Sequence, residues 1–436
     1  MHTEGLEPSL LLQNMDLNHA RLPIPPRVLT LKSLSHSPFF VKGESLFSLF
    51  FLFIFDIMAM GLSLFCNPIL ILTETGGIFM STLFLHIGTP KTGTSSIQFF
   101  LSKNHTALKK FGFCYPDFSF RFPGITPARN GHFLVQKDSS KKGMQQVCDN
   151  KYWEQGFDKV ISILNQNQNV VLSDEGIWNA FHNFEDFWPA LQQKITTSNH
   201  ELKVIVYVRR QDDLVQSYWA QQVKETSTLP FQKYLKKGSW KNFHMFYYDE
   251  LTAIAAVIGK ENLLVRPYEK NQFLNQNLIE DFLALLQIPL DSNFSYPDPQ
   301  VNTSISGEYL EVKRILNKEA TFAQKGNYMI PLLIDLSLEH PPKMKLEQLT
   351  RFTHAQKMEF LAQFEEQNQK LAKEYLQHAD GILFYNEISK ASDEELSYAT
   401  DDLVLACGTI IQKLHTELEN TPKYRLKKFA KKILKR

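Results

Sequence analysis

The sequence predicts an α/β protein in which a parallel sheet is covered by helices on both faces, with a helical subdomain at the C-terminus. Three observations lead there. Apolar runs at 83–87, 169–175, 202–210 and 262–266 read as buried strands. Segments of helical spacing alternate with these strands, and that alternation marks parallel βαβ units. Beyond residue 304 only helical patterns recur, at 305–318, 355–378 and 393–418.

The first strand and helix enclose the most informative stretch, STLFLHIGTPKTGTSSIQFFL at 81–101. A loop bounded by Gly88 and Gly93 leads into a helix opened by Thr94, Ser95 and Ser96. The first N–H groups of a helix lack intrahelical acceptors and its dipole adds positive potential there, so this arrangement cradles an anion. Glycine admits a phosphate close to the backbone, and Lys91 supplies a cation within the loop. A nucleotide-hydrolysing P-loop carries its lysine directly after the second glycine. Here Thr94 takes that place and Lys91 lies two residues before Gly93.

Composition narrows the class. With 43% hydrophobic and 21% charged residues the chain has material for a substantial core, and a net charge of +1 excludes a globally basic nucleic-acid binder. Four cysteines (Cys66, Cys114, Cys148, Cys407) and thirteen histidines show no metal-ligand spacing, so no metal is implied. Residues 1–79 form an N-terminal extension whose apolar run 46–66 reads either as a signal anchor or as a non-native extension ahead of Met80. A core at 80–300, a helical part at 301–420 completing it, and a basic tail at 421–436 follow. A genuine anchor makes this a single-pass membrane protein; otherwise a cytoplasmic, membrane-associated location is expected. Sequons at Asn104, Asn293 and Asn302 are compatible with the anchor, although Asn104 falls on a helix.

After a short second strand within 111–118, residues 119–146 make a Gly/Pro/Asn/Lys-rich loop long enough for a substrate lid. The run VVLSDE places Asp174 and Glu175 at the C-terminal end of a strand, the edge where open α/β sheets bind ligands. It also imitates the acidic strand of a P-loop NTPase, the strongest feature of that second reading. Arg209 ends the strand LKVIVYVRR, and Ser217 lies two helical turns further on. A guanidinium and a hydroxyl so placed suit one phosphate, unless Arg209 is taken up by Asp212 or Asp213.

In this order HIGTPKTGTSSIQ, VVLSDE, YVRRQDDLVQSYW and NLLVRPYEK resemble the bacterial-type sulfotransferases that use 3′-phosphoadenosine 5′-phosphosulfate (PAPS). The resemblance covers about 80–288, continues weakly through 302–317 and near 381–385, and implies their P-loop-like fold. It further implies that Lys91, Thr92, Gly93, Thr94, Ser95 and Ser96 hold the phosphosulfate, Lys91 also stabilising the leaving phosphate. Arg209 and Ser217 would hold the 3′-phosphate, and no metal is needed. Glu175 is the candidate base for an acceptor hydroxyl on a sugar or lipid-linked glycan, with His132 and His86 behind it, although His86 is expected to sit buried beside the loop as a structural residue; otherwise Asp174 and Glu175 orient Lys91 or cap the next helix. The lid-like loop, the aromatic stretch 177–188 and the helical subdomain are expected to shape the acceptor pocket, although aromatics so spaced are more often core. The tail 423–436, KYRLKKFAKKILKR, has one apolar helical face ringed by lysines, which suits an anionic membrane surface or a solvated terminal helix. A catalytically inactive membrane-associated binding protein on the same fold is a third reading.

Overall fold

A computed structural model describes residues 80–296, 304–324, 328–390 and 400–426. The apolar run 46–66, Asn302 and residues 427–436 of the tail lie outside them. The described residues belong to one compact unit. Its strands are β1 (Thr82–His86), β2 (Phe113–Cys114), β3 (Asn169–Ser173), β4 (Glu201–Val208) and β5 (Leu263–Pro267). They form one sheet in the order β2-β3-β1-β4-β5, every neighbouring pair parallel.

Alternating strand side chains face opposite sides of the sheet, and each side has its own core. On one side Phe84, Val171, Ile205 and Tyr207 pack under α1 (Thr94–Lys103), α2 (His105–Lys110) and, later in the chain, the helix Leu278–Leu285. On the other side Leu83, Leu85, Val170, Leu172, Val204, Val206 and Val208 pack under α3 (Trp153–Leu164), α4 (Phe187–Thr196), α5 (Gln211–Glu225) and neighbouring helices. A strand covered on both faces needs apolar residues at consecutive positions, which is why these runs are unbroken. Each fully buried Val, Leu or Phe contributes about 1.5–3 kcal/mol.

Further helices are α6 (Phe231–Lys237), α7 (Tyr247–Ile258) and α8 (Leu278–Leu285). Gly259, at φ 88°, ends α7, and the Asn277 side chain caps α8 by accepting from Ile279 N at 2.9 Å. The C-terminal part carries α9 (Gly307–Leu316), α10 (Met329–Glu339), α11 (Leu346–Thr350), α12 (His354–Ala362), α13 (Glu365–Tyr375) and α14 (Thr400–Asn420). The single helix expected over 355–378 is two, because the chain breaks where Phe364 turns in to pack, fully buried, on Trp240, Phe246 and Phe360. Helices α4, α6, α10 and α11 were not legible from periodicity. Polar clamps hold this part to the sheet's C-terminal edge: Arg210 Nη1 donates to Asn386 O (2.7 Å), and Glu269 accepts from Tyr385 N (2.7 Å). No helix among the described residues is long and apolar enough to cross a membrane.

Ile177, Trp178, Phe184, Phe187 and Trp188 are all buried in the core, as aromatics so spaced usually are. The 119–146 loop is tied to β3 at its middle. Asn130 donates to Val171 O (3.0 Å) and accepts from Ser173 N (2.8 Å), while Gly131 N bonds to Ser173 O (3.2 Å). A Cβ on Gly131 would lie 3.1 Å from the Ser173 carbonyl carbon, so glycine is what admits this close backbone approach.

Candidate active site

Strand β1 lies between β3 and β4, so the chain leaves the sheet in opposite directions on its two sides and opens a crevice at the C-terminal edge. The 88–93 loop fills the base of this crevice. Its backbone extends the ladder to β4, Tyr207 N donating to Gly88 O (2.6 Å) and Thr89 N to Tyr207 O (2.7 Å). The loop then turns through left-handed Lys91 (φ 69°) and Gly93 (φ 72°) into α1. At Gly93 a Cβ would lie 2.4 Å from Leu278 Cδ2, so both space and dihedral require glycine. The first helical bonds run from Ser96 N and Ile97 N to Gly93 O (2.9 and 3.2 Å), leaving the N–H groups of Thr94 and Ser95 without an intrahelical acceptor.

The hydroxyls differ in their availability. Thr92, fully buried, donates to Thr89 O and so closes the loop with its side chain. Thr89 Oγ1 and Thr94 Oγ1 are buried with no hydrogen-bond partner among the described residues. Ser95 is exposed and Ser96 half-buried at the helix start. Buried polar groups are normally satisfied, so two orphan hydroxyls beside free helix N–H groups fit an anion-shaped absence of partners.

Cations surround the loop. Arg209, at the end of β4, donates from Nη1 to Lys91 O (2.9 Å) and lies 5.6 Å from the Tyr268 ring centroid. The carboxylates that could have claimed it are held by its neighbour: Arg210 Nε is 2.6 Å from Asp212 Oδ1. Lys91 makes no ion pair among the described residues. Burial lowers its pKa, and the positive charges of Arg209 and Lys224 lower it further against the opposing pull of Glu175 and Glu225. Ser217 is half-buried on α5 and makes no hydrogen bond to Arg209.

The opposite wall is built on β3. Fully buried Asp174 accepts from Arg129 at both oxygens (Nε 3.0 Å, Nη2 2.8 Å), from His132 Nδ1 (3.0 Å) and from Gly176 N (2.6 Å). Burial alone would raise its pKa; the His132 hydrogen bond and the Arg129 guanidinium outweigh burial and hold the carboxyl below the usual range. Glu175 is part-exposed beside the loop. Its Cβ would lie 3.2 Å from a Cβ on Gly88, Arg129 Nη1 approaches its Oε1 at 3.1 Å, and Gln98 Nε2 donates to its Oε2 at 3.1 Å.

The structure therefore brings together Lys91, Gly93, Thr94, Glu175 and Arg209. His132 stands behind Asp174. His86 is removed from consideration as a base: it is fully buried, bonded to Ser173 Oγ through Nδ1 (2.8 Å), and burial lowers its pKa to about 3. Arg129, Gln98, Tyr268 and Lys224 were missed. The only sequence signal for Arg129 is a charged residue in a Gly/Asn-rich loop directly before Asn130-Gly131-His132. A cavity of about 540 Å³ lined by His105, Lys109, Cys114 and Lys159 includes none of the loop residues.

No protein-family profile matches the chain. An uncharacterized protein of Archaeoglobus fulgidus is 30% identical over 174 residues, 40% of this chain and 45% of that protein, so the match spans less than half of the relative's length. Among solved structures, the chain is similar to a sulfotransferase from Alicyclobacillus acidocaldarius, with 14% identity and a TM-score of 0.31. That alignment covers 56% of this chain and 96% of the other. A sulfotransferase domain from the curacin biosynthetic pathway gives 12% identity, a TM-score of 0.30, and coverage of 62% and 95%.

Proposed function

We propose that the protein is a sulfotransferase moving a sulfuryl group from PAPS to a hydroxyl acceptor, a carbohydrate or glycolipid, and releasing adenosine 3′,5′-bisphosphate. One observation carries this reading. The loop lysine stands before the second glycine, and an arginine from the next strand closes on that lysine's own carbonyl, giving two cations at a crevice already supplied with orphan hydroxyls and helix N–H groups.

PAPS when bound supplies an activated sulfuryl group on a phosphate leaving group. The residues of this chain fit it in kind. Thr94, the α1 N–H groups and Lys91 receive the 5′ end, and the ammonium offsets charge growing on the leaving oxygen. The Thr92 hydroxyl holds loop shape, so it contributes through its backbone. Arg209, with Ser217, receives the 3′-phosphate. Glu175 is the base for the acceptor hydroxyl, its carboxylate oriented between Arg129 and Gln98 at the edge of the loop. Crowded cations with no ion pair for Lys91 repel one another until an anion arrives, which favours a multiply charged anionic donor.

The P-loop NTPase reading is weakened at its best point. Asp174, which would hold magnesium, spends its oxygens on Arg129, His132 and Gly176. The test is calorimetric titration with adenosine 3′,5′-bisphosphate in the absence of magnesium, followed by incubation with radiolabelled PAPS and cell extract. Magnesium-dependent ATP binding without affinity for the bisphosphate overturns the proposal. Bisphosphate binding with no labelled product favours the inactive binding protein.

A further inference from the structure

Three residues far apart in sequence meet on the surface beyond the β3 wall. His182 lies in the helical turn Ala180–Asn183, His244 follows the turn Ser239–Phe243, and Glu250 stands in the first turn of α7. His182 Nε2 is 3.2 Å and His244 Nδ1 3.3 Å from the same oxygen, Glu250 Oε1. One donor atom from each residue lies within 4.8 Å of the others. The two imidazole rings stack, centroids 3.4 Å apart and planes within 8°.

Charge-assisted hydrogen bonds to a carboxylate are ordinarily about 2.7–2.9 Å, so these separations are long for His–Glu ion pairs. They match the edge of a tetrahedron about a metal with bonds of ~2.0–2.1 Å, roughly 3.4 Å. We propose that His182, His244 and Glu250 form a binding site for a divalent transition metal of the zinc class, with solvent in the fourth position. Two imidazoles and one carboxylate suit such an ion; magnesium and calcium prefer oxygen alone. For both lone pairs to aim at one ion the rings must splay, and the His182 side chain, 43% exposed, has room to do so.

The ion would tie together the segment that follows Glu175, the turn whose Phe243 stacks on Tyr218 of α5 (centroids 3.6 Å), and α7, whose Tyr247 hydroxyl donates to Arg209 O (2.6 Å). It would brace both walls of the crevice without entering it. No motif announces this site, because positions 182, 244 and 250 have no metal-ligand spacing.

The experiment is calorimetric titration of the chelator-treated full-length protein with zinc, alongside cobalt absorption to read a tetrahedral field. Expected are one ion per chain, no competition by magnesium, and affinity about 100-fold or more weaker in His182→Ala and in Glu250→Gln, beyond the loss typical of supporting residues alone. His244→Asn, which tolerates the left-handed backbone at φ 52°, serves as the third variant. Circular dichroism establishes that each variant is folded. Absence of zinc binding by the folded protein overturns the proposal. So does binding that survives His182→Ala, or that is lost instead on replacing the exposed Cys148 and Cys407.

Discussion

His86 lies in β1 immediately below the loop, and its burial makes acid a specific stress on this fold. The ring contacts Tyr207 and Phe282, Nδ1 bonds to Ser173 Oγ, and Nε2 is buried without a partner among the described residues. Burial lowers its pKa from 6.5 to about 3, the charge of Asp174 acting weakly the other way. The unfolded chain therefore takes up a proton near pH 6.5 that the folded chain refuses until about pH 3. Stability from the neutral ring is fully present above pH 6.5 and is lost as pH falls through the window between these values. At pH 5.0 the loss is about 1.5 pH units at ~1.36 kcal/mol each, roughly 2 kcal/mol. That is a sizeable fraction of the 5–15 kcal/mol typical of a domain. Urea unfolding at pH 7.5 and 5.0 measures it, with His86→Gln as the reference, since glutamine can still bond Ser173 but does not titrate. Wild type should lose about 2 kcal/mol more than the variant between the two pH values. Equal losses would refute the assignment of a neutral, buried His86.

Other outcomes follow from the site. Arg209→Ala should weaken adenosine 3′,5′-bisphosphate binding by about 10- to 150-fold, the worth of a charged hydrogen bond, while loss of its bond to Lys91 O costs about 0.5–1.5 kcal/mol of urea stability; an unchanged Kd counts against the 3′-phosphate role. Gly93→Ala should cost about 1–2 kcal/mol from the left-handed backbone alone, and should abolish bisphosphate binding by moving the loop off Leu278. Arg129→Met strands Asp174 in the interior and should cost about 3–5 kcal/mol, most of it recovered in Arg129→Met/Asp174→Leu if the charge is the cause. Because the folded pKa of Asp174 is depressed, its stabilisation is present above the ordinary carboxylate range and lost as pH falls through the folded pKa, so the stability gap between wild type and Arg129→Met should narrow in acid. Asn104 Nδ2 donates to Phe100 O and Ser295 O (both 2.8 Å), and peptide mapping of protein expressed through a secretory route should find no glycan there.

The strands, the 88–93 loop and the start of α1 were readable because their signals are local: unbroken apolar runs, two glycines, and hydroxyls at a helix start. Arg129 and Gln98 were not, since their partners Asp174 and Glu175 lie just past the end of β3, 45 and 77 positions away, and neither has a neighbour that announces the contact. At two adjacent pairs, Asp174/Glu175 and Arg209/Arg210, only one member faces the loop. Strand parity separates them. Even-numbered Val170 and Leu172 face the core under α3, and Asp174 continues on that side to meet Arg129 and His132. Odd-numbered Val171 and Ser173 face α1, and Glu175 continues there to meet Gln98 and the loop. On β4, Val206 and Val208 share parity with Arg210, which is consumed by Asp212 and the C-terminal part; Ile205 and Tyr207 share it with Arg209, which reaches Lys91. The period-two rule that selects which valine is buried on which face thus also selects the carboxylate and the guanidinium that face the loop. A one-residue insertion near the end of β3 or β4 would exchange the members of a pair, placing a clamped, ordinarily buried group in the crevice and the reactive one in the core.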